Sequence, residues 1–194
     1  MKEVSYALGL SMAANFMNSG LKDIDTDAFT KGLIDVLKGN TPDMSMEKAQ
    51  SVINQFFAKL QAEAVENNKK EGEAFLAKNK EKAGVVVTAS GLQYEILTQG
   101  TGSKPKATDT VRCHYEGRLI NGQVFDSSFK RNQPADFPVN QVIPGWVEAL
   151  QLMPVGSKWR LYIPSNLAYG EHGAGELIGP NTTLIFDVEL LEIL

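Results

Sequence analysis

The sequence predicts an α+β chain: an all-helical amino-terminal part, one long linking helix, and a carboxy-terminal antiparallel sheet half-wrapped around a short helix. Three observations predict it. Apolar residues recur at helical spacing as far as about residue 83 and at strand spacing after Gly84. The third helical segment is longer than a small domain is wide. Asn121-Gly122 stands between two apolar runs, the strongest short-range signal for a hairpin.

The first helix covers residues 4–18, places Tyr6, Leu10, Ala13 and Met17 on a common face and ends at Ser19-Gly20. This stretch follows Lys2 and faintly resembles a secretory leader. Glu3, Asn15 and Asn18 interrupt that pattern, and no small-x-small cleavage site follows. The second helix takes Asp25 or Thr26 as its N-cap, carries Phe29, Leu33, Val36 and Leu37 along one stripe and stops at Gly39-Asn40. The third has Thr41 as a cap and Pro42 suited to its first position, with only Gly72 as a weak point before Gly84. At 1.5 Å per residue, about forty residues make a rod of roughly 60 Å. Met46, Ile53 and Leu60, with Ala49, Phe56, Phe57 and Ala64 beside them, give its first half a face that needs burial. Residues 66–82 are mostly Asn, Lys and Glu, the composition of a solvated spacer.

Small helical pieces of this size bury too little surface to be stable alone. Either a second copy completes the core, giving a homodimer through the amino-terminal helices, or the helices fold back on the sheet as one compact monomer; the polar half-rod favours the dimer. The expected division is therefore 1–40, a helical dimerisation domain that also uses the first half of the next helix, 41–83, the linking helix, and 84–194, the sheet domain.

In the sheet domain, residues 91–97 read as a strand. Val111, Cys113 and Tyr115 alternate with Arg112 and His114 on opposite faces. Residues 144–152 read as a short helix carrying Trp146, Ala149 and Leu150, residues 158–163 as a strand, and residues 183–194 as a closing strand with Leu184, Phe186, Val188 and Leu190 on one face. The sequence alone suggests four or five strands.

Composition narrows the function. The chain of 194 residues is 43% apolar and 22% charged, ordinary for a globular protein. A net charge of -4 without a basic block gives no reason to bind nucleic acid, and no stretch reaches the ~20 apolar residues of a membrane span. The one cysteine, Cys113, excludes an internal disulfide and fits a reducing, cytoplasmic setting. His114 and His172 have no metal-ligand neighbours at the usual spacing, Gly170, Gly173 and Gly175 lack a phosphate-loop context, and no nucleophile elbow is present. An enzyme built from this chain needs no metal and no cofactor.

His114-Tyr115-Glu116-Gly117, Asn121-Gly122 leading into Val124-Phe125-Asp126-Ser127-Ser128, Val142-Ile143-Pro144-Gly145-Trp146, Leu167-Ala168-Tyr169-Gly170 and Leu184-Ile185-Phe186-Asp187-Val188-Glu189-Leu190-Leu191 follow one another in that order. Together they resemble the FKBP-type peptidyl-prolyl cis/trans isomerases. The amino-terminal part, with Ser5-Tyr6-Ala7-Leu8-Gly9 and the long third helix, is similar to the dimeric bacterial branch that includes the macrophage infectivity potentiator proteins. The resemblance implies catalysis of proline isomerisation in unfolded or proline-containing polypeptides, with chaperone-like client binding through the helices. It implies Tyr115, Phe125, Asp126, Tyr169 and Phe186 as catalytic residues, and Arg131, Val142, Ile143, Trp146 and Ile178 as substrate-binding ones. In that scheme Trp146 is the floor, the Ile143 N–H and Tyr169 hydroxyl hold substrate carbonyls, and Asp126, positioned by Tyr115 and Arg131, faces the twisting amide. Read without the family, most of these positions are ordinary core, and Asp126-Ser127 is turn chemistry. The chain departs from single-domain members at Ala135, where they carry an aromatic, and at Ala174, where their flap often bears a histidine. Both changes thin the rim and weaken the expected grip on the macrolides tacrolimus and rapamycin.

Overall fold

The structure, a computed structural model, describes residues 1–21 and 23–194. Contacts gather into two units, Met1–Gln61 and Ala62–Leu194.

In the first unit, α1 (Lys2–Asn18) and α2 (Thr26–Lys38) precede the start of α3 (Met46–Asn79). Asp25 caps α2 by accepting from the Asp27 and Ala28 N–H groups, and Gly39 ends it in the left-handed region at φ +68°. The third helix begins at Met46 and not at Pro42. Ser45 accepts the Lys48 N–H at its hydroxyl and the Ala49 N–H at its carbonyl. Asp43 is held by Lys31 of α2 at 2.7 Å, which keeps the intervening connection out of the helix. The face of α1 nearest α2 agrees only in part with the expected one. Ala13 and Met17 line the groove together with Met12 and Phe16 against Phe29, Leu33 and Leu37, with Phe16 edge-on to Phe29 at 5.5 Å, while Tyr6 and Leu10 lie outside it. Because α1 is apolar around much of its circumference, one stripe cannot be chosen by spacing alone.

In the second unit the sheet has seven strands, ordered β1-β2-β6-β7-β3-β4 with β5 paired to β3. These are β1 (Val85–Val87), β2 (Gln93–Thr98), β3 (Thr110–Leu119), β4 (Val124–Ser127), β5 (Ala135–Pro138), β6 (Lys158–Ile163) and β7 (Leu184–Ile193), all antiparallel to their partners. The two strands unseen in the sequence are short: β1 has three residues, and β5 has four, follows Pro134 and ends on Pro138. The hairpin between β3 and β4 closes as Leu119 donates its N–H to the Gln123 carbonyl, with Gly122 at φ +88°. Helix α4 (Pro144–Leu152) packs Trp146, Ala149 and Leu150 against Val111, Cys113, Tyr115, Phe186 and Val188, so strand alternation and helix stripe meet in one core.

The polar second half of α3 is not a solvated spacer. It docks on the sheet through Asn68, Gly72, Phe75, Leu76 and Asn79, which recur every three or four residues. Asn79 donates to the Gln93 side-chain oxygen at 3.0 Å, the Gln93 amide donates to the Leu76 carbonyl at 3.0 Å, and Phe75 meets Tyr162 at 6.0 Å. A Cβ on Gly72 would lie 2.3 Å from the Thr183 hydroxyl oxygen, so only glycine allows this approach. Apart from Phe75 and Leu76 the helix face is built from amides and a glycine, which is why apolar periodicity misses it.

Candidate active site

Between α4 and the sheet lies an open cavity of about 580 Å³. Strand β3 delivers Tyr115, the β4 hairpin arm Phe125 and Asp126, β7 Phe186, and α4 Trp146. Val142 and Ile143 come from the entry to α4, and Tyr169 and Ile178 from the loop between β6 and β7. These are the residues implied by the family resemblance, and all of them but Arg131 line the one cavity.

Trp146, 4% exposed, is surrounded edge-on by three rings: Phe186 at 5.3 Å and 84°, Phe137 at 5.5 Å and 72°, and Tyr115 at 5.6 Å and 84°. Phe125 stands edge-on to Phe186 at 5.5 Å. Edge-to-face pairs set the positive edge of one ring against the negative face of the next, so the rings hold each other's orientation. Gly117 sits where a Cβ would fall 2.5 Å from the Phe125 ring and 2.7 Å from that of Phe186, so the strand must be bare there.

A paired carboxylate adjoins these rings. The Tyr115 hydroxyl donates to one Asp126 carboxylate oxygen and Arg131 to the other. A second Arg131 nitrogen donates to the Tyr115 oxygen at 3.0 Å, and its guanidinium lies 5.8 Å from the Tyr115 ring centre. Burial alone would push the Asp126 carboxyl up, but the bonds from Tyr115 and Arg131 outweigh it and hold it below the usual carboxylate range. Burial, followed by the bond to Asp126, pushes the Tyr115 phenol up. Asp126 is therefore a fixed anion. It is a poor general acid at neutral pH.

Ile143 is the N-cap of α4 and its carbonyl accepts the Trp146 and Val147 N–H groups, while its own N–H is bonded to no backbone carbonyl among the described residues. Tyr169 is 40% exposed at the rim. The loop beyond it carries Gly173 and Gly175 at φ +64° and +57°, and Ala174 and Ile178 exchange backbone hydrogen bonds at 2.8 and 3.2 Å.

The structure adds lining residues that the sequence reading omits: Phe137, Gln141, Glu176 and Leu177. Phe137 stands two residues after Ala135 on β5, hence on the same side of the strand. Ala174 lies on the rim, whereas Ala135 packs against the core and does not line the cavity. His114 is half-buried, its Nδ1 3.0 Å from the Ser128 hydroxyl and its ring stacked on Phe129, so it is less of a surface residue than its strand position suggests. Among the described residues no group of three His, Cys, Asp or Glu side chains is placed to hold a metal ion.

Comparison with known proteins places this architecture. Residues 101–191 match the family of FKBP-type peptidyl-prolyl cis-trans isomerases, and residues 1–96 match the domain amino-terminal to them. The chain is 47% identical to the FKBP-type 22 kDa peptidyl-prolyl cis-trans isomerase of Escherichia coli (strain K12), covering 99% of this chain and 95% of that protein. It is 47% identical to the outer membrane protein MIP of Legionella longbeachae over 98% and 84% of the two chains. The crystal structure of FkpA from Escherichia coli superposes with a TM-score of 0.77 at 33% identity, covering 98% of this chain and 95% of that one. With both halves of the chain matched and relatives 47% identical over nearly its whole length, this protein belongs to the FKBP-type peptidyl-prolyl cis/trans isomerases and is an enzyme of that class.

Proposed function

We propose that the cup around Trp146 is where this isomerase acts, and that it accelerates proline-limited steps in folding polypeptides. Rotation about a peptide bond meets a barrier of about 18–20 kcal/mol because resonance gives the C–N bond double-bond character. Water stabilises the planar, charge-separated amide more than the twisted one. A ring-lined cup excludes that water and so lowers the twisted state relative to the planar one. The observation that carries this reading is the set of three rings held edge-on to Trp146, with the paired Asp126 carboxylate adjoining them. The proline ring rests on Trp146 between Phe125, Tyr115 and Phe186. The Ile143 N–H and Tyr169 hydroxyl hold the flanking carbonyls, and Asp126 faces the twisting bond with its charge fixed by Arg131. In a protease-coupled assay on a proline peptide, Phe125→Ala and Asp126→Ala should each lower kcat/KM about tenfold or more, equivalent to about 1.4 kcal/mol at the transition state. Full activity in both variants would remove the cup from the mechanism.

The same proposal makes the protein a homodimer through α1, α2 and the first half of α3. Support comes from burial: within Met1–Gln61 no apolar side chain is buried among the described residues, and a groove of about 590 Å³ lined by Leu8, Met12, Phe16, Phe29 and Leu33 lies open. Two catalytic units in one assembly would hold an unfolded client at two points and raise its effective concentration at each cup, a chaperone-like action. Proline isomerisation takes tens of seconds uncatalysed, so this speeds refolding clients most. Tacrolimus and rapamycin are proposed as ligands of the same cup, weakened by the thin rim at Ala174. A cytoplasmic setting is proposed on the single cysteine, Cys113, which is fully buried with its thiol pushed up to about 12, chiefly by burial, and so is no partner for a disulfide. Recovery in a membrane or periplasmic fraction would contradict that setting.

A further inference from the structure

The cup's Ile178 wall is tied to a part of the chain with no place in the chemistry above. Ile178 is followed by Gly179 and Pro180, and the Pro180 carbonyl accepts the side-chain amide of Asn68 on α3 at 2.8 Å. The same amide lies 3.4 Å from the Thr182 hydroxyl, which itself donates to the Gly179 carbonyl at 2.8 Å. Two glycines make the fit reciprocal. A Cβ on Gly179 would lie 3.1 Å from the Asn68 amide nitrogen, and one on Gly72, a turn further along α3, would lie 2.3 Å from the Thr183 hydroxyl oxygen. Thr183 is buried, and one residue later β7 begins its run to Phe186. On its other side Ile178 is fixed by the two backbone hydrogen bonds it shares with Ala174, which also lines the cup.

We propose that α3 braces the substrate cup, with Asn68 as a positioning residue that holds the segment 178–183 and through it the Ile178 wall. A close contact of this kind transmits position well. On the loop side it meets the Pro180 carbonyl, two residues from Ile178, and the short side chains of Thr182 and Thr183, with no long side chain to absorb a displacement. Phe75–Tyr162 and Asn79–Gln93 extend the docking, so the helix is fixed to the sheet independently of Asn68. Releasing Asn68 therefore frees the loop and leaves the helix in place. This inference rests on reading Ile178 as a wall that meets substrate. A wall that touches the proline ring equally in planar and twisted states affects binding and not turnover.

The test uses the full chain and a proline peptide with kcat and KM measured separately. Asn68→Asp keeps the shape and removes the donor to Pro180. It should raise KM about three- to tenfold, the size of one hydrogen bond's net contribution, with kcat within about twofold. Gly72→Ala should raise KM in the same direction by pushing α3 off Thr183, and Gly72→Ala with Thr183→Ala should recover it by removing the atom it strikes. Phe125→Ala, run alongside, separates the two proposals. If it leaves activity intact, the cup itself is wrong; if it collapses kcat/KM while Asn68→Asp and Gly72→Ala lower only the melting temperature and leave KM unchanged, the brace is overturned and the cup stands.

Discussion

In the first half of α3, Val52, Ile53, Phe56 and Phe57 are 45%, 48%, 41% and 39% exposed, while in its second half Gly72 and Asn79 are buried and Asn68 is half-buried. One helix thus leaves its apolar side chains uncovered and buries its amides. Exposed apolar residues on this scale call for a partner surface, whereas a buried amide N–H group needs an acceptor beside it, because leaving it unpaired costs about 1–3 kcal/mol. The difference teaches that polarity alone does not say which part of a helix is docked. What decides it is where the amide donors go: the Asn79 N–H group is paired with the Gln93 oxygen and that of Asn68 with the Pro180 carbonyl, while the buried Asn79 Oδ1 has no hydrogen-bond partner among the described residues.

The largest effect expected from this contrast is on assembly. Ile53→Glu combined with Phe57→Glu places charge where the first half of α3 is to be covered, and should convert a dimer into single chains of 21.2 kDa in sedimentation equilibrium. A smaller effect separates two asparagines on the same helix. Asn79→Ala leaves the Gln93 oxygen without its donor in a buried place and should destabilise the sheet unit by about 1–3 kcal/mol in denaturant melts. Asn54, whose exposed side chain only accepts from Gln50 at 2.9 Å, should tolerate Asn54→Ala within about 0.5 kcal/mol. Equal costs at the two sites would erase the distinction between the two halves of α3.

The smallest effect concerns pH and the second unit alone. Burial would push the Asp187 carboxyl up, but bonds from Arg160 and Arg118 outweigh it and hold it below the usual range, as Tyr115 and Arg131 do for Asp126. A carboxyl lowered on folding contributes stability that is fully present above its unfolded value of about 3.9 and is lost as pH falls through the folded value. Stability of the sheet unit and kcat/KM should therefore both be level from about pH 6 to 9, with stability declining only below about pH 4. A rise or fall in kcat/KM near neutrality would show a titrating catalyst that the fixed Asp126 anion does not provide.

Much of this was readable in the residues where local chemistry and pattern agree. The Asp25 cap and Gly39 stop frame α2, Pro144 opens α4, and the alternation in β3 and β7 places Val111, Cys113, Leu184 and Val188 in the core. The cup residues were legible only through the five ordered motifs. By periodicity alone Trp146 and Phe186 are core, and they are indeed almost fully buried, with the cavity opening beside them. Phe137 went unseen because prolines bracket β5 and four residues carry no measurable period. The docking of α3 went unseen because its contacts are hydrogen bonds to backbone and to Gln93, and no hydrophobic pattern encodes them.

Division of labour within one helix is the claim on which the functional account turns, and a single comparison tests it. The intact chain and the Ile53→Glu/Phe57→Glu variant would be sedimented and then assayed per chain on a proline peptide and on a refolding protein limited by proline isomerisation. With labour so divided, the intact chain should sediment at twice 21.2 kDa and the variant at 21.2 kDa, with peptide kcat/KM unchanged between them and slower refolding only with the variant. An intact chain that sediments at 21.2 kDa, or a variant that loses peptide turnover along with assembly, would contradict that division.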